Sequence, residues 1–493
     1  FLCPGDSINV SLNTIEEAAG YDADVHATLM IDGKELCDFK GTGILPEVYQ
    51  VNTNKTLKAS AIIPDTIHPT GPYWLEQDPT VGMYRVDNQK LRGLPQNPSQ
   101  VTVRLHYHFH GNGLCNACPE IDIDRYVPVF YKNVDPVKGE QYAEARIVPP
   151  AVIIPQTKLL VFASNNAKEL DVKVKSFIKG KAALKLDFPT GWADSVGGLK
   201  LKQDTKGMSY TDSITLNGDG TEQTYKFYIK PLETVQNATI NISIIKDGKI
   251  YNRSLEDINY DHIPEQILLP KSKVKLVKMD IKTSHKLIGY INGAGDDIPQ
   301  MLKELGYTVE IISPTQLASA NLSKYDVIIA GVRAYNTVDR LKYDNPRLMD
   351  YVKNGGTYIV QYNNNFRLET ENIGPYPLTL SGDRTTEEDC KVTFVHPDNP
   401  VLNTPNKITD ADFTGWVQER GLYYPNKWDS NYTPILEMAD GGEKPTQGAL
   451  LIAQYGKGNF VYTGLSFFRE LPAGVTGAYR LFVNLVELPK HGK

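Results

Sequence analysis

Residues 286–312, KLIGYINGAGDDIPQMLKELGYTVEII, read as a strand, a Gly-rich turn, an amphipathic helix ending at Gly306 and a second strand. Three later segments each give an apolar strand that ends in a polar cluster: 325–337 (YDVIIAGVRAYNT), 356–365 (GTYIVQYNNN) and 458–470 (GNFVYTGLSFFRE). Alternating strands and helices imply a mainly parallel sheet covered on both faces, so residues 271–493 are expected to form an α/β domain. In open parallel sheets ligands gather at the carboxyl ends of the strands. The candidate ligand-binding set is therefore Asp296 and Asp297 in the first turn, then Arg333, Tyr335 and Asn336, then Gln361, Tyr362 and Asn363, and finally Ser466, Arg469 and Glu470.

A nucleophile is the first thing to look for at such strand ends. The strand ending at Val360 runs instead into Gln361, Tyr362 and Asn363, and the domain's one cysteine, Cys390, lies in an acidic stretch, TEEDC. The turn GAGDD lacks the third glycine of a dinucleotide-binding loop, and its two aspartates would repel a pyrophosphate at a helix N-terminus. They are adequately explained as favourable partners of the helix dipole. Arg333 and Arg469 with Glu470 either pair to tie the strand ends together or line an anion pocket, since a guanidinium fork suits carboxylate or phosphate. An autonomous hydrolase would use Glu470 or Asp297 as general base, with the two arginines holding an anionic substrate. A further block, 415–428 (GWVQERGLYYPNKW), contains Trp416, Gln418, Glu419 and Arg420. Such a stretch is usually a core-packing loop crossing one end of a sheet, and its aromatic faces beside amide and carboxylate groups also suit a sugar ring.

Working outward, residues 1–148 are strand-like with a Pro-rich passage, IIPDTIHPTGPYW, and read as a β-sandwich. Residues 149–270 form a second strand series with regular alternation and Gly and Asp turns, expected to be an immunoglobulin-like sandwich. In the first sandwich, VTVRLHYHFHGNGLCNACPE (101–120) puts His106, His108 and His110 on one face of a strand, followed by Cys115 and Cys118 after a Gly-rich turn. That set has enough N and S ligands for zinc. The plainer reading is stronger: a solvent-facing strand edge rich in His needs no ligand, and the two cysteines either close a small disulfide or stay free.

At 493 residues the chain is too long for one core. Its 52 Lys+Arg against 58 Asp+Glu give a net charge of −6, which offers no electrostatic argument for nucleic acid or an anionic membrane as partner. No apolar run is long enough to span a bilayer. Five cysteines do not describe a disulfide scaffold. The chain opens on FLCPGDSINVSLN, already strand-like, and is expected to continue a longer polypeptide.

Taken together, these segments resemble a known family. GYINGAGDDIPQMLKELGY, GVRAYNT, NGGTYIVQYNNN, GPYPLTLSGDRTTEED, HPDNPVLNTPNKI, GWVQERGLYYPNKWD and YTGLSFFRELPAGVTGAYRLFVNL are similar to the C-terminal region of large exported bacterial proteins of the PIG-L (LmbE-like) deacetylase family. GPYWLEQ and YKNVDPVKGEQY resemble the β-rich middle of the same proteins, so the likeness runs over essentially the whole chain. In that family an N-terminal domain removes an N-acetyl group from an amino sugar with a metal held by an A-H-P-D-D motif. That motif is absent from this sequence, so no catalytic residue of the deacetylase carries over and the metal belongs to the upstream domain. The resemblance implies an exported, periplasmic or cell-surface location, an upstream deacetylase domain as partner, and a glycan as possible ligand. It also implies a flavodoxin-like C-terminal domain similar to class I glutamine amidotransferases, which place a cysteine after a central strand and a His-x-Glu pair after a later one. Matched to Gln361–Asn363 and to Ser466–Glu470, neither the cysteine nor the histidine is present. The expected role is that of a non-catalytic accessory region.

Overall fold

The protein is described here as a computed structural model, covering all residues except 16–22, 41–53, 81, 110–119, 195–201, 205–206, 232–234, 236, 261 and 492–493. It is β-rich and built from several sheets. In the first region, Lys34–Asp38, Ala23–Ile31, Val101–Phe109 and Ile121–Pro128 form one antiparallel sheet, and Ser7–Ile15 pairs with Asn54–Ile62 in another. Alternation decides the packing: Ile8, Val10, Leu57 and Ala59 from the pair meet Ala27, Leu29, Val103 and Leu105 from the sheet in one core.

The second region stacks a four-stranded sheet, Trp192–Asp194, Thr221–Pro231, Lys168–Ser176 and Ala151–Pro155, on a larger one. Leu170, Val172, Val174 and Ile229 face Leu184, Leu186, Ile240, Ile242 and Ile244, while Trp192 meets Phe162 edge-on at 5.0 Å. The larger sheet corrects the expected boundary at residue 270. Lys273–Lys278 is hydrogen-bonded parallel to Leu159–Phe162 and antiparallel to Ala238–Lys246, so it belongs to the sandwich. Both faces of that strand pair are buried. Leu160, Phe162 and Leu276 point into the sandwich core, whereas Leu159, Val161 and Val277 join the core of the C-terminal domain. Lys168 pairs with Glu304 at 2.5 Å across the same junction.

In the C-terminal domain, Thr308–Ile311, Leu287–Ile291, Val327–Ala330, Thr357–Val360 and Gly458–Thr463 lie parallel in that spatial order, and Leu450–Tyr455 and Tyr432–Pro434 extend the sheet antiparallel. Numbered along the chain, the parallel strands run 2-1-3-4-5. Ile288, Tyr290, Val327, Ile329, Ile359 and Val461 face one side with the helices Ile298–Glu304 and Thr476–Val486. Ile291, Ile328, Ala330, Tyr358, Val360, Phe460 and Tyr462 face the other with Leu341–Lys353. Each fully buried Ile, Val or Leu contributes on the order of 1.5–3 kcal/mol, so the two faces together hold the sheet.

The first turn is seated against the third strand's end by a close backbone approach. Ala294 N donates to Val332 O at 2.8 Å, and a Cβ on Gly293 would run into Val332 O and Ala334 N. Gly293→Ala is therefore expected to lower stability by about 2 kcal/mol or more, measured by urea unfolding. Gly382→Ala, where a Cβ meets nothing within 4 Å, should stay within about 0.5 kcal/mol of the parent.

Candidate functional site

The strand ends divide into an inner layer and an outer one. Gln361 donates through Nε2 to the Tyr290 hydroxyl at 2.9 Å, and that hydroxyl donates to Asp296 Oδ1 at 2.6 Å. Asp296 also accepts from Ile298 N and Val332 N, both at 3.1 Å, so it staples two turns together. Asn363 accepts from Tyr335 N at 2.8 Å and donates to Gln361 O at 2.8 Å. Tyr335 is fully buried, its hydroxyl bonded to Asn345 at 2.6 Å and within 3.0 Å of that of Tyr358. Asn336 donates to Phe366 O at 3.0 Å and accepts from Asn364 N at 2.9 Å, which holds the following loop. Tyr335, Gln361 and Asn363 are thus internal, and as direct ligand contacts they are corrected, while Asp296 is part-exposed with both carboxylate oxygens engaged by the two turns. Asp297 is exposed at the head of Ile298–Glu304 and makes no capping hydrogen bond there.

Residues 415–424 cross the end of the last parallel strand. Leu422 N donates to Gly464 O at 2.9 Å and Ser466 N to Arg420 O at 3.0 Å. Trp416 is 3% exposed, packs on Phe413 and Phe467 and donates to Asp412 O at 3.0 Å, so it is a core residue. Arg420 is likewise buried: its guanidinium donates to Phe413 O and Cys390 O and lies over the rings of Phe413 and Trp416. Both are withdrawn as ligand contacts. Gln418 is exposed and left-handed, with φ at 71°.

Glu470 is fully buried and both its oxygens accept from Val417 N, at 3.2 and 3.0 Å. It does not pair with Arg469. That arginine donates through Nε to Glu419 at 2.6 Å, and Ser466 Oγ bonds the same carboxylate oxygen at 3.2 Å. Burial pushes the Glu470 carboxyl up to about 8, against smaller opposing effects of Val417 N and the arginines Arg420 and Arg469.

The outer layer is an aromatic group around Tyr362. Tyr362 stacks on Tyr423 with ring centres 6.0 Å apart and planes 9° from parallel, and packs on Phe468 at 5.2 Å. Phe366, 55% exposed, meets Tyr423 edge-on, and the Arg469 guanidinium lies 4.8 Å from the centre of Phe468. Burial raises the Tyr362 hydroxyl's pKa, and the Arg333 charge opposes that rise. Arg333 itself is left-handed, φ 58°, with its N–H bonded to Tyr362 O at 2.8 Å. Among the described residues, those with positive φ that are not glycine fall into two groups. Asp32, Asp219 and Asp247 each precede a glycine in a turn, whereas Arg333, Arg367 and Gln418, in the loops, and Tyr423, on the Gly421–Trp428 strand, all lie at this end of the sheet. Such backbone persists where the surroundings over-determine it, and it clusters at functional sites. Tyr423, Phe366 and Phe468 were not among the expected residues.

The histidine strand is internal to its sheet, not an edge, because Val101–Phe109 pairs on both sides. His106 Nδ1 lies 2.9 Å from Asp124 and His108 Nδ1 2.7 Å from Asp122. His110, Cys115 and Cys118 lie outside the described residues. Among the described residues no three His, Cys, Asp or Glu side chains are grouped to hold a metal ion, and Cys3, Cys37 and Cys390 are free thiols. No described helix is long and apolar enough to cross a membrane.

No family model matches the chain, and no curated protein does. Solved structures that align include the exo-beta-1,4-mannosidase Op5Man5 from Opitutaceae bacterium strain TAV5, at 11% identity over 41% of this chain and 35% of that one, TM-score 0.25. A Bacteroides ovatus GH5 xyloglucanase in complex with a XXXG heptasaccharide aligns at 9% over 43% and 45%, TM-score 0.16. The collagen binding domain of Erysipelothrix rhusiopathiae surface protein RspB aligns at 7% over 56% and 85%, TM-score 0.14. The aligned part is under half the length of either glycosidase chain, and likeness this slight fixes neither fold nor activity.

The buried carboxyl sets a pH dependence. Between 4.5, the ordinary value, and about 8, the folded protein holds a proton on Glu470 that the unfolded chain has released. Folding is therefore favoured at the low end of that window and loses stability as pH rises through it. Glu470→Gln, which keeps an acceptor for Val417 N, should flatten this slope in urea unfolding between pH 5 and pH 8.5 and leave the mutant relatively more stable at the alkaline end.

Proposed function

We propose that this chain is the accessory, non-catalytic region of an exported PIG-L-type deacetylase, and that its C-terminal domain holds a saccharide against Tyr362, Tyr423 and Phe468. The carrying observation is the stacked, part-exposed aromatic group at the carboxyl ends of parallel strands, ringed by four left-handed residues that are not glycine. Aromatic faces bind the apolar face of a sugar ring, and the fixed polar groups around them, Arg333, Glu419 and Arg469, supply orientation.

The 2-1-3-4-5 order of the parallel strands supports a flavodoxin-like, class I glutamine amidotransferase-like reading of the domain. Two features favour binding over reaction. The Thr357–Val360 strand is not followed directly by a helix, and residues 361–366 contain no left-handed residue, so the strained elbow that would present a nucleophile is missing along with its cysteine. Glu470, the best-placed acid, faces Val417 N and not the aromatic group. The metal of the parent enzyme has no matching ligand motif in this sequence.

Calorimetric titration of the full chain with a panel of neutral and acidic oligosaccharides tests this reading. At least one should bind, and Tyr362→Ala or Phe468→Ala should weaken it by roughly three- to tenfold per ring. Trp416→Ala should instead cost about 3–5 kcal/mol of stability. Absence of binding across the panel, or binding indifferent to both ring deletions, would sink the proposal.

A further inference from the structure

One guanidinium of the strand-end cluster, that of Arg333, has no partner among the described residues. Four arginines among the described residues have a buried Nε without a hydrogen-bond partner: Arg104, Arg333, Arg420 and Arg480. Three of them are satisfied through their other atoms or by an ion pair. Arg104 pairs with Glu35 at 2.8 Å, Arg420 donates to two carbonyls, and Arg480 pairs with Asp412 at 2.9 Å and donates to Asp280 O. Arg333 has no ion pair and no side-chain hydrogen bond among the described residues.

The surroundings deepen the imbalance. Among the described residues no carboxylate pairs with Arg333: Arg469 takes Glu419, Asp296 beside it is bonded to the Tyr290 hydroxyl, Ile298 N and Val332 N, and Glu470 is buried, its carboxyl pushed up to about 8. Arg333 is nonetheless held in place by its backbone: its N–H bonds Tyr362 O at 2.8 Å, and its carbonyl accepts from Asn336 N at 2.9 Å and Thr337 Oγ1 at 3.1 Å. A half-buried guanidinium on a fixed left-handed backbone, beside a part-exposed tyrosine and with no internal partner, is a prepared anion receptor.

We infer that the saccharide held against Tyr362 bears an acidic group, a carboxylate or a sulfate, and that Arg333 is the residue that reads it. This rests on the saccharide reading above and adds the charge class of the ligand. Arg469, tied to Glu419, is oriented beside Phe468 and supplies a second, weaker contribution to the same field.

The test is calorimetry on the full chain with two matched pairs of probes: a hyaluronan tetrasaccharide and its carboxyl-reduced form, and a chondroitin sulfate tetrasaccharide and its desulfated form. The acidic member of at least one pair should bind about tenfold or more tightly than its neutral partner, as expected for a charge-assisted hydrogen bond. The pair that discriminates separates carboxylate from sulfate. Arg333→Asn, which suits the left-handed backbone and removes the charge, should abolish that preference while melting at the parent temperature, and Arg333→Lys should restore part of it. Equal affinity for acidic and neutral members, lost in Tyr362→Ala, would overturn this inference and leave saccharide binding standing. An acid preference unchanged by Arg333→Asn would overturn the assignment to Arg333. No binding by any of the four probes would overturn the inference, and the saccharide reading falls as well if the wider panel is equally silent.

Discussion

The strand-end architecture depends on one close backbone approach, between Gly421 and Gly464. Leu422 N reaches Gly464 O, and a Cβ on Gly421 would strike that same carbonyl, while one on Gly464 would meet Tyr424 at 2.6 Å and Leu422 O at 2.7 Å. Only with glycine at both positions can residues 415–424 lie directly on the end of the Gly458–Thr463 strand. Everything at the outer surface follows from that contact. It brings Glu419 to Arg469, Tyr423 to Tyr362, and Val417 N over Glu470. A segment from a long excursion outside the parallel sheet thereby becomes one wall of the site.

Three arginines near this contact show three ways of meeting a guanidinium's needs. Arg420, deepest, is solvated by carbonyl dipoles and ring faces, with no carboxylate in salt-bridge contact. Arg469, at the rim, takes a carboxylate in a strong charge-assisted bond. Arg333, opposite, takes nothing from the protein. The carboxyl that could have balanced the set, Glu470, is instead desolvated and pushed up to about 8, because the Val417 N–H and the arginines offset too little of the cost of burying its charge. The asymmetry is directional: the buried acid, with its raised pKa, lies inside, and the guanidinium without a counter-ion lies outside.

Much of the sheet was legible, and much of the site was not, for reasons of period. The apolar runs ending in polar clusters at 325–337, 356–365 and 458–470 reveal parallel strands, since strands buried on both faces are continuously apolar. They do not reveal which residues of each cluster turn inward. Alternation continues past Val360, sending Gln361 and Asn363 to internal bonds and Tyr362 outward. On the short helix Phe467–Glu470 successive residues diverge by about 100°, so Phe467 and Glu470 are buried while Phe468 and Arg469 are at the surface. Adjacency in sequence suggested an Arg469–Glu470 pair, and helical geometry separates the two. The boundary at 270 failed for another reason: the alternation in KVKLVK shows a strand with two usable faces, and nothing local says which sheet it joins.

Tyr423 was invisible from sequence because its place depends on a backbone conformation that residue type does not announce. A bulky residue at φ 51° is disfavoured, and glycine would relieve it. What a glycine would lose is the ring stacked 9° from parallel on Tyr362. The same holds at Arg333, where glycine would accept φ 58° without strain and would remove a part-buried guanidinium that has no partner among the described residues. Strain of about 1–3 kcal/mol per residue is therefore retained at two positions whose side chains make no contribution to the core. Folding alone does not account for that choice, and the proposed saccharide site gives both side chains a use.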